Sequence, residues 1–300
     1  MKSSAEASAC AKLILFGEHS VVYGYPAIAV PLTSLRLSIT VQAARKDSVK
    51  APGLVAADRQ KLLESLSVAR QQMRLSKAPL LITVSSQIPF RAGLGSSAAF
   101  SVALVRALAR LTGKKLAAAT VSQFAYELEK IYHGTPSGID TTVSANEKPI
   151  FFIKGKPPQF IRLGSPLPLI IANSGSHVAT KKVVADVRQR MENNPRQHAI
   201  LFEKIGSIAM HARGFLEQGE LVMVGKLMSL NQELLMELGV SSPALDRLVA
   251  KAHAHGALGA KLSGAGRGGC IVALAQRGTA RKIFKALRLH GTEAFSVAVK

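Results

Sequence analysis

The chain has 300 residues, 48% of them hydrophobic, which is enough for real cores in one large domain or two ordinary ones. Lys and Arg number 39 against 18 Asp and Glu, a formal net charge of +21, yet no apolar run approaches the roughly 20 residues of a membrane helix. The N-terminal run LILF is cut short by Gly17, Glu18 and His19, so no secretion signal is read there, and two cysteines, Cys10 and Cys270, make no disulfide framework. The expected location is cytoplasmic.

In chain order, residues 10–16 read as a strand ending at Gly17. Leu35, Leu37, Ile39 and Val41 alternate with Arg36, Ser38 and Thr40, the period of a half-buried strand. A helix is predicted over 58–75 and a strand over 80–85. A glycine-rich loop and a long helix that Gly113 ends come next. A second helix runs over 117–132, and short strands at 150–153 and 160–163 flank GKPP. Gly164, Pro166 and Pro168 punctuate the chain, which places a domain boundary near 165, giving domains 1–165 and 166–300. Beyond it come a buried strand at 169–172 and helices at 178–192, 198–217, 219–238 and 243–255. Paired strands at 258–263 and 270–275, a helix at 279–289 and a strand at 294–299 close an α+β pattern in two parts.

The basic residues are scattered, except where Arg281, Lys285 and Arg288 share one face of the last helix opposite Ile283, Phe284 and Leu287. That stripe reads as a solvated face. Aromatic residues total 5% with no Trp, and no basic–aromatic alternation offers a platform for base stacking. No specific nucleic-acid partner and no membrane partner are expected.

Three stretches carry chemistry. In GLGSSAAFSVALVRALARL, residues 93–111, Gly93 and Gly95 let the backbone turn sharply and approach a ligand closely. Ser96 or Ser97 can cap the helix that follows. Its first turn leaves amides unpaired and its dipole favours an anion, most often phosphate. A capped core helix with an ordinary entry turn explains this stretch equally well. On the second helix, Phe124, Leu128 and Ile131 form the expected core stripe. Glu129 lies off that stripe, and His133 would share its side if the helix continued. HGTPSGID follows at 133–140, where Gly134, Pro136 and Gly138 shape a tight turn that can fix Asp140 beside the helix end. A plain turn with a capping Asp is the bland reading. Two acids near a phosphate loop point instead to a metal ligand and a general base. In KLSGAGRGGC, residues 261–270, Gly264, Gly266 and Gly269 match G-x-G-x-x-G, but strand-like CIVALA follows rather than a helix, so the dinucleotide reading is rejected. There is no Walker A loop; the glycine turn can still offer amides to an anion.

KLILFGEHSVVYG at 12–24, PFRAGLGSSAA at 89–99 and KLSGAGRGGC at 261–270, in this order and with Glu129 and HGTPSGID, resemble the mevalonate kinase family of the GHMP kinase superfamily over nearly the whole chain. The resemblance implies a two-domain α+β fold, the first domain like the second domain of ribosomal protein S5 and the second ferredoxin-like. It implies transfer of the ATP γ-phosphoryl group to the 5-hydroxyl of mevalonate, a step in making isoprenoid precursors. Carried over by position, Gly93, Leu94, Gly95, Ser96, Ser97 and Ala98 would wrap the ATP phosphates. Ser97 and Glu129 would ligate Mg²⁺. Asp140 would take the proton from the substrate hydroxyl, with Lys12 beside it to stabilise charge. Glu18, His19 and Thr180 would face mevalonate together with Lys12 and Asp140, and the turn holding Gly264 and Ala265 would close on it. Mevalonate and ATP are the implied partners, and a homodimer is compatible with the sequence. The family commonly carries glycine where this chain has Arg267, which would set a cation beside the phosphates or at the mouth of the site. The alternatives are another kinase of the superfamily, for phosphomevalonate or homoserine, and, from a different class, a basic nucleic-acid-binding protein.

Overall fold

The computed structural model describes residues 3–52, 55–89, 92–176, 178–288 and 292–300. Phe90 and Arg91 of the second motif, His177 and Leu289 lie outside them. The chain divides into two compact units, one of Met1–Lys12, Thr33–Phe90 and Gly95–Glu147, the other of Leu13–Leu32, Arg91–Leu94 and Lys148–Lys300. Strands β1 (Ser4–Phe16) and β2 (Ala27–Ala43) each run through the division.

In the first unit, the end of β2 pairs antiparallel with β4 (Leu80–Ser86), Ile39 opposite Val84 and Val41 opposite Ile82, and β3 (Ser48–Lys50) lies parallel to β4. The alternation of residues 35–41 is real, because Leu37, Ile39 and Val41 are buried and their neighbours are not. The strand is longer than that pattern, since Ala27–Leu32 is buried on both faces and carries no period to read. Helices α1 (Ala56–Met73), α2 (Ser96–Leu111), α3 (Ala118–His133) and α4 (Ile139–Asn146) complete the unit. α2 is its central helix, with twelve of sixteen residues buried and both α3 and α4 packed on it. The buried face of α3 is Val121, Ala125, Leu128 and Glu129; Phe124 and Ile131 of the expected stripe are only half-buried, because the polar Glu129 turns inward toward α2.

In the second unit, the start of β2 pairs with β5 (Ile150–Phe152), and β5 pairs with β6 (Gln159–Phe160), shorter than the strand expected there. β7 (Leu167–Asn173), β8 (Gly259–Ser263), β9 (Cys270–Leu274) and β10 (Ala294–Val299) form an antiparallel sheet in the order β10-β7-β9-β8. That is fourth, first, third, second, the order of a split β-α-β ferredoxin-like sheet. Its helices are α5 (Thr180–Asn193), α6 (Pro195–Gln218), α7 (Leu221–Glu237), α8 (Pro243–Ala254) and α9 (Ala280–Leu287). The core gathers Ile170, Val187, Phe202, Leu235, Leu262, Ile271 and Ile283. α7 meets β8 backbone to backbone: a Cβ built on Gly259 would stand 2.0 Å from the Gly225 carbonyl oxygen. Arg281 and Lys285 on α9 and Arg288 at its C-terminal end are exposed, as the solvated-face reading requires. Among the described residues no helix is long and apolar enough to cross a membrane.

Candidate active site

The entry to α2 is built from glycine. Its N-cap is Gly95 at φ 73°, not Ser96 or Ser97 as the sequence reading allowed, and no side chain caps the helix. The first intrahelical bond runs from the Ala99 amide to the Gly95 carbonyl at 2.9 Å, so the amides of Ser96, Ser97 and Ala98 precede the helical ladder. The glycine is required twice over. Its φ is left-handed, and a Cβ there would stand 2.7 Å from Cγ and Cε of Lys12. Gly93 also has a positive φ, 78°, and Leu94 is buried; both belong to the second unit, while Gly95–Ala98 belong to the first.

With the N-cap role taken by Gly95, the serines are free for other partners. The Ser97 hydroxyl donates to Oε2 of Glu129 at 3.1 Å and lies 3.1 Å from Nε2 of His133. One turn on, Ser101 donates to Oε1 of the same carboxyl at 3.3 Å. Both serines sit on the α2 face against α3, and this arrangement is why Glu129 is buried rather than solvated. Burial first, and then the charge of Asp140, push the Glu129 carboxyl up to about 8, against the pull of the Ser97 and Ser101 hydrogen bonds and of Lys12. Burial also lowers His133, while Asp140 raises it and Lys12 and Lys61 lower it further.

Asp140 is the second residue of α4, entered through Gly138 at φ 92°. It is therefore held by a helix start and not by a turn alone. Its Oδ2 pairs with Nζ of Lys12 at 2.9 Å; the lysine is 4% exposed and the aspartate 30%, so the acid keeps an open side. The first unit thus brings together Lys12 and Asp140 as one pair, Ser97 and Glu129 as another. An open cavity of about 420 Å³ on the same unit is lined by Val49, Lys50, Ala51, Pro52, Arg59, Thr83 and Val84 and includes none of these residues.

In the second unit, the turn after β1 carries Glu18 and His19. Gly17 at φ 92° makes it possible, since a Cβ there would strike Ala27 at 2.5 Å. Glu18 is fully buried and ion-paired with Lys261, whose ammonium also donates to the Leu262 carbonyl at 2.7 Å. Asn231 of α7 donates to the other Glu18 oxygen at 3.4 Å. Burial lowers the Lys261 ammonium and the Glu18 charge opposes that. His19, at φ 62°, places Nε2 2.9 Å from the Ala265 carbonyl oxygen. A carbonyl only accepts, so Nε2 carries the proton and Nδ1 is the free acceptor. Burial, with Arg267 adding to it, pushes the imidazole down to about 4 against the pull of the Ala265 bond, so the ring is neutral. Thr180 is the exposed first residue of α5, and Gly264 at φ 90° opens the glycine turn. Arg267 is not a loose cation in that turn: its guanidinium pairs with Asp186 of α5 and donates from Nε to the Gly239 carbonyl at 3.1 Å.

Sequence reasoning assigned no role to Ser101, His133, Lys261, Asn231 or Asp186. Three of them had a signal. Ser101 follows Ser97 by four residues, and His133 follows Glu129 by four, the spacing that puts two side chains on one helix face. Lys261 sits inside a quoted motif. Asn231 and Asp186 lie on ordinary amphipathic helices and had none.

The family model for the GHMP kinase N-terminal domain matches residues 60–148, and that for the GHMP kinase C-terminal domain matches residues 212–293. The mevalonate kinase of Pyrococcus horikoshii is 38% identical, over 95% of this chain and 92% of its own. That of Aeropyrum pernix is 33% identical over 100% and 97%. The crystal structure of L. major mevalonate kinase in complex with R-mevalonate superposes with a TM-score of 0.90 at 29% identity, covering 100% of this chain and 98% of that one.

Proposed function

The chain belongs to the GHMP kinases, and within them to the mevalonate kinases; from that premise we propose that it transfers the γ-phosphoryl group of ATP to the 5-hydroxyl of mevalonate. The observation that carries the reading is the Lys12–Asp140 pair at 2.9 Å, in the same unit as a helix start with free amides and the Ser97–Glu129 pair. Phosphoryl transfer asks a protein for positioning and for charge neutralisation more than for covalent help, and these groups supply both.

The roles divide by chemistry. The amides of Ser96, Ser97 and Ala98, with Gly93 and Leu94 before them, hold the nucleotide phosphates at the positive end of α2. Asp140 is the open-sided acid that accepts the proton of the attacking hydroxyl. Lys12 stays on its other oxygen and balances charge. His19, neutral and with Nδ1 free, accepts a hydrogen bond from a substrate hydroxyl. Glu18, expected from the sequence to face mevalonate, is instead fully buried on Lys261 and fixes the backbone from which His19 projects, and Thr180, Gly264 and Ala265 line the same acceptor side.

The donor set fits a hard divalent cation, Mg²⁺. Ser97 and Glu129 present two oxygens 3.1 Å apart, and a carboxyl held protonated by burial and by a neighbouring charge is one that a cation would ionise. Ser97 and Glu129 would hold such an ion, which when bound would offset negative charge on the phosphates. The reading places the enzyme in the cytoplasm, where ATP is plentiful and the free Cys10 and Cys270 stay reduced, and includes a homodimer.

Incubation of the protein with ATP, Mg²⁺ and mevalonate, followed by phosphorus NMR, tests the reaction itself. A new phosphomonoester on the 5-oxygen, formed in step with ADP, is the expected result. ADP formed with inorganic phosphate and no phosphomonoester would contradict it.

A further inference from the structure

Arg267 is the one non-glycine residue with a positive φ, 55°, among the described residues of the 264–269 turn. A left-handed arginine is strained relative to glycine, and such strain persists where the surroundings over-determine it. Three contacts do so. The Arg267 amide donates to the Val240 carbonyl at 2.7 Å, Nε donates to the Gly239 carbonyl at 3.1 Å, and the guanidinium pairs with Asp186. Asp186 stands four residues before Arg190 on α5, and Arg190 donates to the Leu238 carbonyl at 3.2 Å. The fit is close: a Cβ on Gly266 would stand 2.0 Å from the Val240 carbonyl oxygen, and one on Gly239 would stand 2.0 Å from the Arg190 guanidinium. α5, residues 238–240 and the glycine turn are thus gripped together by two arginines and one aspartate.

Two of the three gripped pieces, α5 and the glycine turn, carry a residue that the proposed function places against the acceptor substrate. α5 begins at Thr180, six residues and about 9 Å of helix before Asp186. The glycine turn carries the Ala265 carbonyl on which His19 is docked. We propose that the Asp186–Arg267 pair is a clamp that positions Thr180 and, through Ala265, His19, and so sets the affinity for the acceptor substrate. Arg267 and Asp186 are positioning residues; neither touches the reacting atoms. The inference rests on the proposed function for the identity of that substrate, and on geometry alone for the clamp.

The test uses D186N, R267G and the double variant. Glycine relieves the left-handed φ at 267, so R267G removes the clamp while sparing the turn from strain. Each single variant is expected to raise KM for mevalonate about tenfold, with kcat and the KM for ATP changed by no more than about twofold. The double variant is expected to be no worse than the weaker single one, because both remove the same interaction. Amide hydrogen exchange in residues 180–186 of the free protein should quicken in both. Unchanged KM and unchanged exchange, or additive effects in the double variant, would overturn the clamp. Wild-type protein that turns over no mevalonate would overturn the function instead, and the exchange measurement then decides the clamp without it.

Discussion

Glu129 and Asp140 are two carboxylates of one unit with opposite surroundings. Glu129 is closed in by Ser97, Ser101 and His133, whereas Asp140 pairs with Lys12 on one side and is open on the other. Glu129→Gln should therefore raise the Mg²⁺ concentration needed for half-maximal rate and weaken MgATP binding, with partial rescue at high metal. Asp140→Asn keeps shape and hydrogen-bonding reach but loses basicity. Its turnover should fall by about 10²–10⁴-fold, the share of a general base, with MgATP affinity unchanged and no rescue by metal. Steady-state kinetics across a metal titration separates the two, and a folded Asp140→Asn protein with most of its turnover would remove Asp140 from the reaction. His19 gives a test by stability. Its imidazole is held near 4 in the folded protein against about 6.5 when unfolded. Between those values the unfolded chain binds the extra proton, so acid costs stability, by about 3 kcal/mol once the pH is below both. The stability difference between wild type and His19→Gln, followed by urea unfolding, should shrink as pH falls from 7 toward 4. A difference independent of pH would mean that His19 is not buried neutral.

The elements show where sequence was informative and where it was silent. The α2 entry was legible because glycines, serines and a long apolar run each carry a local rule. Which residue caps the helix was not, since that depends on Lys12 occupying the space where a Gly95 side chain would go. Gly95→Ala should push Lys12 off Asp140 and lower turnover while leaving the thermal midpoint within a few degrees; unaltered turnover would show that the close approach has no functional weight. α4 could not be read, because eight residues with β-branched Thr141, Thr142 and Val143 have too little period and poor helix propensity. The alternating half of β2 was visible and its fully buried half was not. Glu129 was recognised through the motif after it, although its burial depends on two serines from α2 that no spacing within α3 reveals. In the second unit, α7 rests on β8 through Gly225 and Gly259. Gly225→Ala must force these elements apart, a loss of about 1–3 kcal/mol by urea unfolding. It should also disturb Asn231 and Gln232, which reach Glu18 and the Leu262 amide from the same helix. Wild-type stability in that variant would mean the contact has slack.

For the whole molecule, the charge of +21 is the feature least explained by any one residue. Its basic groups are spread over the sequence, and Arg281, Lys285 and Arg288 form a solvated face with no aromatic partner for bases beyond Phe284. A diffuse field of this sign draws in anionic small molecules such as ATP and mevalonate. RNA or DNA should bind only weakly, without sequence preference, and lose affinity steeply with salt. A complex that survives physiological salt would point to a nucleic-acid site on the α9 face. The central claim is the choice of acceptor. The measurement that tests it most directly is coupled ADP release over mevalonate, phosphomevalonate, homoserine and galactose, each with saturating MgATP. The account predicts that kcat/KM for mevalonate far exceeds the other three. Preference for phosphomevalonate or homoserine would contradict it.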